Sequence, residues 1–339
     1  MDQRSKIYTP HSSLKINMTI RFTAFFLLCC LAFNSYAEDA YPSRPIRLYV
    51  GFAPGGGTDI AARIIAPYVS KELGQPIVIE NKPGVGGNIA TDVISKSQPD
   101  GYLIMLSSVG PLAYSPHIYK LGYDPLKDVT PLGLGVSSGN ALIVNPQVLK
   151  AKTLAEYVAI AEKTPGGLVY GSSGSGSGGH LAGELFAATA KIKLIHIGYR
   201  GGGPAINDLL GGTVPSLFAT IITAKQLIES GKVDALAVTS RTRSKALPNV
   251  PTIAELGYPG YEAANWYAFI APPKTSPAIV SKLNTAINKA LRDPQIRERL
   301  LMQGLDPTPS TPEEMAAYMK KEYNLWGGVI AKAGIKVDN

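Results

Sequence analysis

The sequence predicts an α/β fold in which mainly parallel strands alternate with helices. Short apolar runs rich in strand-forming residues are followed repeatedly by segments whose apolar residues have helical spacing. Strands that alternate with helices form parallel sheets, because each helix carries the chain back to the start of the next strand. A break in composition between two strand-like runs, at residues 137–140, further predicts a hinge between two lobes.

The first 37 residues have the pattern of a secretory signal peptide. Arg21 precedes an apolar run at residues 22–33, and Ser35 and Ala37 in the segment 35–37 supply the small side chains that a signal peptidase reads. The run is too short to span a bilayer. We therefore expect an exported, soluble protein that begins near Glu38, with Met18 as an alternative start of translation.

Composition limits the function classes. Both cysteines, Cys29 and Cys30, lie in the apolar run, so the exported chain is predicted to have no disulfide and no thiolate chemistry. Removing residues 1–37 takes away four basic residues and one acidic residue, which lowers the net charge from +8 to +5. A mildly basic chain without a Lys/Arg cluster argues against nucleic acid and fits a small anionic ligand.

A glycine-rich loop, residues 52–59, joins a predicted strand at 47–52 to a predicted helix that ends near Gly74. Thr58 and Asp59 are suited to the N-cap of this helix. Glycine lets a ligand approach the backbone, and a helix N-terminus attracts anions. The alternative is a plain tight turn. The candidate ligand-binding residues of this glycine loop are Phe52, Ala53, Pro54, Gly55, Gly56, Gly57, Thr58 and Asp59.

The next segment contains a second candidate position. A strand at 77–80, a glycine-rich turn, a short helix at 89–97 and a strand at 102–106 follow in order. Ligands of doubly wound sheets lie beyond the carboxyl ends of the strands. That rule nominates Ser107 and Ser108, for which an ordinary loop is the alternative. An apolar run at 132–136 and a strand at 141–144 then flank the predicted hinge.

A serine-rich loop, residues 171–179, repeats the strand-to-helix arrangement between a strand at 168–170 and a helix at 180–190. It follows a helix that opens with the capping box Thr153–Glu156. Hydroxyl groups add side-chain donors to the backbone donors. A flexible linker is the alternative, although both flanks are strongly patterned. The candidate residues are Ser172, Ser173, Gly174, Ser175 and Ser177.

The rest of the chain continues the alternation. Strands are predicted at 195–199, 214–218 and 235–239, with helices at 204–210 and 223–230. A second crossing between lobes is predicted at 261–271. Helices at 277–291 and 294–302 follow, and a last helix opens with Thr311 as N-cap and Glu314 at N3.

Several kinds of catalytic chemistry have no signature here. His117, His180 and His196 are widely separated and lack metal-ligand spacing, and the serine-rich loop has no Gly-x-Ser-x-Gly register for a nucleophile elbow. We predict no catalytic residue, no metal and no cofactor. Arg200 has two interpretations, a partner for a ligand carboxylate or a solvated side chain.

The motifs together resemble one family. FAPGGGTDIAARIIA, ENKPGVGGNIATD, YGSSGSGSGGHLAGELF, YRGGGPAINDLLGG and LPNVPTIAELGYPGYEAANWY are similar to the periplasmic receptors of tripartite tricarboxylate transporters, the TctC or Bug family. The resemblance covers essentially all of residues 42–335.

This resemblance implies a two-lobed periplasmic-binding-protein fold of the Venus flytrap type (type II), each lobe a mainly parallel sheet flanked by helices. Residues 38–140 and 261–339 would form lobe 1, and residues 141–260 would form lobe 2. It implies a monomeric periplasmic protein that captures an organic anion and passes it to membrane subunits. The carboxylate would be held by the glycine loop and the serine-rich loop.

Two positions depart from the family pattern. Gly178 stands where the family often has a second serine, and Ala219 stands where it often has an aspartate. Ala219 is therefore a candidate ligand-binding position at which a partner for a ligand amine or hydroxyl is missing. A receptor that feeds a membrane sensor, or an exported hydrolase, are the alternative functions.

Overall fold

Eleven strands form two sheets within the part of the chain that the computed structural model describes, which is Met1, residues 41–333 and Ile335. Residues from Pro42 onward belong to one compact unit. The predicted signal peptide and the predicted start near Glu38 lie outside the described residues.

The first sheet contains six strands. They are β1 (Ile46–Val50), β2 (Ile77–Asn81), β3 (Leu103–Ser108), β4 (Thr130–Ser138), β10 (Asn265–Ala271) and β11 (Asp306–Pro307). Their order is β11-β4-β10-β3-β1-β2. β1 is parallel to β2 and β3, whereas β10 is antiparallel to both of its neighbours and β11 is antiparallel to β4.

The second sheet contains five strands. They are β5 (Asn140–Val144), β6 (Leu168–Ser172), β7 (Leu194–Gly198), β8 (Ser216–Thr220) and β9 (Asp234–Val238). Their order is β7-β6-β8-β5-β9. β6 is parallel to β7 and β8, whereas β5 is antiparallel to β8 and β9.

Both sheets are therefore mixed, where the sequence predicts mainly parallel ones. The chain leaves the first sheet at the end of β4, passes Gly139, and enters the second sheet directly as β5. It returns to the first sheet as β10. These two strands run against their neighbours because they are reached from the other sheet and not through a helical crossover. Both are buried along their whole length. The domain limits given above remain a prediction.

Nine helices of eight residues or more flank the sheets within residues 41–333. They are α1 (Gly57–Leu73), α2 (Asn88–Ser95), α3 (Leu154–Lys163), α4 (Gly178–Ala190), α5 (Gly202–Leu210), α6 (Ile221–Glu229), α7 (Pro277–Arg292), α8 (Pro294–Met302) and α9 (Pro312–Ala333). The capping box at the start of α3 is confirmed. So is the cap of α9, where Thr311 Oγ1 accepts from the Glu314 N–H and the Glu314 carboxylate accepts from the Thr311 N–H.

The predicted N-cap of α1 is wrong. The cap is Gly56, with an extended backbone at φ −80° and ψ 165°, so Thr58 and Asp59 lie in the first turn of the helix. Like an N-cap residue, Asp59 accepts a hydrogen bond from a backbone N–H through its carboxylate. That N–H belongs to Gly55, which precedes the helix, and not to the helix itself.

Candidate functional site

A small cavity lies between the two sheets. The centre of a water molecule can move through about 20 Å³ of it, which is room for about one water molecule in this conformation. None of the described residues that line it is Asp, Glu, Lys, Arg or His. The lining residues are Phe52, Gly56, Gly57, Thr58, Ser108, Ser172, Ser173, Ser177, Gly178, Gly202, Ala205, Leu217, Phe218, Ala219, Thr220, Asn265 and Tyr267.

The N-terminus of α1 borders this cavity through Gly56, Gly57 and Thr58. Space, and not backbone conformation, requires glycine at position 57. A Cβ atom there would lie 2.6 Å from Tyr267 Oη and 2.9 Å from Thr220 Oγ1. The glycine therefore lets the start of α1 approach β8, which belongs to the other sheet.

Asp59 organises the glycine loop and does not line the cavity. Its Oδ2 accepts from the Gly55 N–H and from Arg63 Nε, both at 2.9 Å, and its Oδ1 accepts from Asn81 Nδ2 at 2.9 Å. Asn81 also donates to the Phe52 carbonyl. Burial alone would raise the pKa of Asp59, but the hydrogen bonds from Arg63, Gly55 and Asn81 outweigh it and lower the pKa. The carboxylate is thus charged and fully used in holding the loop.

The serine-rich loop has Ser172 at its centre. Ser172 Oγ donates to the Gly174 carbonyl at 3.1 Å and accepts from Ser177 Oγ at 3.3 Å. Ser177 is the N-cap of α4, because its Oγ accepts from the His180 N–H. Ser173 also lines the cavity and is half-buried. The hydroxyls of Ser172 and Ser177 shape the loop through these bonds, and all three serines line the cavity.

Two histidines support this loop from behind. His196 Nε2 lies 2.7 Å from Ser172 Oγ, and His180 Nδ1 accepts from the Gly176 N–H at 3.0 Å. Burial lowers the pKa of His180 to about 4. Burial and the neighbouring His180 lower the pKa of His196 to about 2. Both imidazoles are therefore neutral at pH 7, as the acceptor role of His180 requires.

Two further helices begin at the cavity. α5 starts at Gly202, and Thr220 is the N-cap of α6. The first turns of α4, α5 and α6 contain no acidic residue. Four helix N-termini therefore border one cavity, and each contributes partial positive charge and backbone N–H donors. This arrangement suits an anion even though the described lining has no cationic side chain.

The wall formed by the first sheet is polar but uncharged. Ser108 is the last residue of β3, and its register partner on β10 is Tyr267. Asn265 opens β10, and its Nδ2 donates to Tyr267 Oη at 3.4 Å. Ser108 is 3% exposed and Asn265 is 4% exposed. Ser108 Oγ and Asn265 Oδ1 are buried and have no hydrogen-bond partner among the described residues.

The two sheets also meet through backbone contacts at glycines. The Ala53 N–H of the glycine loop donates to the Arg200 carbonyl at 2.9 Å. Further along the same seam, a Cβ at Gly86 would lie 2.5 Å from the Ser175 carbonyl oxygen, and one at Gly110 would overlap the Gly176 carbonyl. The turn at residues 84–87 and Gly110 therefore pack directly against the backbone of the serine-rich loop.

Residues 61–335 match the family model described as the tripartite tricarboxylate transporter family receptor, TctC. The chain belongs to this family. It is 38% identical to protein BugT of Bordetella pertussis over 303 residues, which covers 89% of this chain and 93% of the relative. The family consists of solute-binding receptors and not of enzymes, as the sequence predicted.

Two solved structures illustrate the likeness of this receptor to known ones. Rpa4515 of R. palustris, solved with adipate, is 36% identical with a TM-score of 0.84, over 87% of this chain and 99% of that one. MatC from Rhodopseudomonas palustris, solved with bound malate, is 32% identical with a TM-score of 0.82, over 86% of this chain and all of that one. Periplasmic binding proteins share the fold, so the predicted two-lobed α/β fold is confirmed.

The predicted site residues of the receptor fall into two groups. Nine line the cavity: Phe52, Gly56, Gly57, Thr58, Ser108, Ser172, Ser173, Ser177 and Ala219. The other seven do not line it: Ala53, Pro54, Gly55, Asp59, Ser107, Gly174 and Ser175. Arg200 is exposed and also lies outside the lining. Ligand contact stays a prediction for all of them.

Sequence reasoning missed eight lining residues as site residues: Gly178, Gly202, Ala205, Leu217, Phe218, Thr220, Asn265 and Tyr267. The glycine turn at 201–203 was a usable signal, because it precedes a helix as the other two loops do. Nothing local distinguished Asn265, which lies in an apolar strand.

Within residues 41–333, no group of three or more His, Cys, Asp or Glu side chains is placed to hold a metal ion. In the same part of the chain, no helix is long and apolar enough to cross a membrane.

Proposed function

We propose that the protein captures a small organic carboxylate between its two lobes and delivers it to the membrane subunits of a tripartite tricarboxylate transporter. One observation carries this proposal: four helix N-termini border a single cavity whose described lining has no charged side chain. α1 comes from the part of the chain that contains the first sheet, and the other three come from the part that contains the second.

The chemistry of this cavity fits a carboxylate. Backbone N–H groups and the Ser173 hydroxyl would donate to its oxygens, and such charge-assisted bonds are stronger than neutral ones. A cavity of about 20 Å³ has no room for a carboxylate, so the lobes would have to part for entry and close around the ligand. The glycine contacts along the seam are suited to such closure, since the two lobes meet there by their backbones.

The relatives support the ligand class. Rpa4515 was solved with adipate and MatC with malate, which are both carboxylates. By the same analogy we propose a periplasmic, monomeric receptor that begins near Glu38. Its lobes would comprise residues 38–140 with 261–339, and residues 141–260.

A thermal-shift screen tests the ligand class. A ligand that binds only the folded state stabilises it by about 2.7 kcal/mol at 100 times its Kd, and the melting temperature rises accordingly. We expect a rise with at least one of a panel of mono-, di- and tricarboxylates, and none with neutral sugars as controls. No response to any carboxylate would contradict the proposal.

The partner is tested separately. The purified receptor is loaded with the carboxylate that the thermal-shift screen identifies. It should then restore uptake of this carboxylate into vesicles that contain the transporter's membrane subunits. Binding of the carboxylate without uptake, together with capture of a membrane sensor, would favour the signalling alternative.

A further inference from the structure

Asn265 presents an unsatisfied acceptor in the ligand cavity. Its Nδ2 donates to Tyr267 Oη at 3.4 Å, and its Oδ1 is buried without a partner among the described residues. Oδ1 would lie 3.1 Å from a Cβ placed on Gly178, the first residue of α4. The oxygen, which belongs to a residue of the first sheet, therefore lies next to the N-terminus of α4, which flanks the second sheet.

Position separates this oxygen from other unsatisfied groups. Asn140 is also fully buried, and its amide atoms lack partners among the described residues, but Asn140 does not line the cavity. Ser108 Oγ lines the cavity and is likewise unpaired. Two buried polar groups that lack partners thus lie on the same wall of a ligand site.

The two groups differ in what they can accept or give. A hydroxyl such as that of Ser108 rotates and serves as donor or acceptor, whereas an amide oxygen only accepts. A carboxylate also only accepts, so it cannot satisfy Asn265 Oδ1. A buried acceptor without a donor costs free energy, so the ligand must bring a donor or a water must supply one.

The chemistry of the lining favours an uncharged donor group on the ligand. The described lining has no Asp or Glu. A ligand ammonium would therefore be buried without a counter-charge, which is strongly unfavourable. A ligand hydroxyl would donate to Asn265 Oδ1 and accept from a hydroxyl such as that of Ser108.

We infer that the ligand is a hydroxycarboxylate and that Asn265 selects for its hydroxyl group. The carboxylate end faces the four helix N-termini, and the hydroxyl faces the Ser108 and Asn265 wall. This inference rests on the proposed function, because it presupposes that a carboxylate occupies the cavity.

Matched acid pairs test it by calorimetry. Each pair differs by one hydroxyl: lactate and propionate, 3-hydroxybutyrate and butyrate, malate and succinate. We expect the hydroxy acid of at least one pair to bind about tenfold or more tighter, because a site that hydrogen-bonds a hydroxyl leaves a buried group unpaired when the hydroxyl is missing. In Asn265→Leu the preference should fall to about threefold or less.

Two further variants keep the result unambiguous. Asn265→Ala replaces Asn265→Leu if circular dichroism shows that the leucine variant is misfolded. Ser173→Ala is the control on the carboxylate side, and it should weaken both members of a pair by the same factor and so keep the preference.

Three outcomes would overturn the inference. If the deoxy acids of all pairs bind as tightly as the hydroxy acids, the protein is still a carboxylate receptor but Asn265 does not select a hydroxyl. The same holds if the preference survives in both Asn265 variants. If neither these acids nor the carboxylates of the thermal-shift screen bind, the proposed function and this inference fail together.

Discussion

The imidazole rings of His180 and His196 are stacked, with their centroids 4.0 Å apart and their planes inclined by 28°. The ring of Tyr170 on β6 lies 5.1 Å from that of His196, and Tyr170 donates to the Glu184 carboxylate of α4. Each histidine contacts a different part of the serine-rich loop. Protonation of His180 would remove the acceptor of the Gly176 N–H, so the charge state of this buried ring bears on the shape of the serine-rich loop.

Acid should destabilise the protein through this pair. Between pH 6.5 and pH 5 the unfolded chain takes up protons on both imidazoles, whereas the folded chain does not, because both pKa values are lowered. The free energy of unfolding should thus fall with falling pH by up to roughly 1.4 kcal/mol per pH unit for each imidazole. Urea unfolding at several pH values between 7.5 and 5 measures this slope.

His180→Asn is the matched variant for that experiment. The asparagine oxygen keeps an acceptor for the Gly176 N–H but does not titrate. We expect the pH dependence attributed to the pair to fall by about half. An unchanged slope in this variant would show that the acid response comes from other groups.

Alanine substitutions at Ser172 and Ser173 should differ in their effects on thermal stability and on ligand affinity. Ser172→Ala removes the hydroxyl that bonds Gly174, Ser177 and His196, so both the melting temperature and the ligand affinity should fall. Ser173→Ala should leave the melting temperature within about 1 °C. It should weaken carboxylate binding by roughly 10- to 150-fold, because it removes one bond to a charged group. Calorimetry and thermal unfolding of both variants check this, and equal losses of stability would refute it.

The sequence predicted the parts of the site that are local in the chain. A strand, a glycine-rich or serine-rich loop and a helix follow one another within about twenty residues, so both loops and Gly56, Gly57 and Ser173 were predictable. The predicted role of Asp59 was harder to judge. A residue typical of helix caps here bonds Gly55, Arg63 and Asn81, and Asn81 is brought near only by the pairing of β1 with β2.

The remainder of the site depends on contacts between distant segments. Thr220 and Asn265 meet α1 and α4 only because β5 and β10 carry the chain between sheets, and no local pattern encodes that crossing. Strand limits mattered too. The strand predicted at 214–218 is β8 at Ser216–Thr220, and that two-residue shift places Thr220 at the start of α6.

Glu322 should be important for stability because it binds both tryptophans of the chain. Its Oε2 accepts from Trp266 Nε1 at 3.2 Å and from Trp326 Nε1 at 3.3 Å, and Glu322 is 7% exposed. Glu322→Ala leaves two buried indole N–H groups without an acceptor. We expect a loss of roughly 2–5 kcal/mol in the free energy of unfolding, measured by urea titration with circular dichroism. Lys320→Ala, at an exposed position of the same helix, is the control and should change it by less than about 0.5 kcal/mol.

Gly57→Val should abolish closure while the fold survives. The new Cβ would lie 2.6 Å from Tyr267 Oη and 2.9 Å from Thr220 Oγ1 and Ile222 Cγ2, and the last two atoms belong to the second lobe. Opening of the proposed cleft would relieve the overlap with Thr220 and Ile222, and the Tyr267 hydroxyl, which belongs to the first sheet, would shift by a small side-chain movement, so neither overlap requires unfolding. We expect carboxylate affinity to fall by about 100-fold or more with an unchanged circular dichroism spectrum. Gly328→Ala is the control, because a Cβ there meets nothing within 4 Å. Wild-type affinity in Gly57→Val would show that α1 and β8 need not approach each other to hold the ligand.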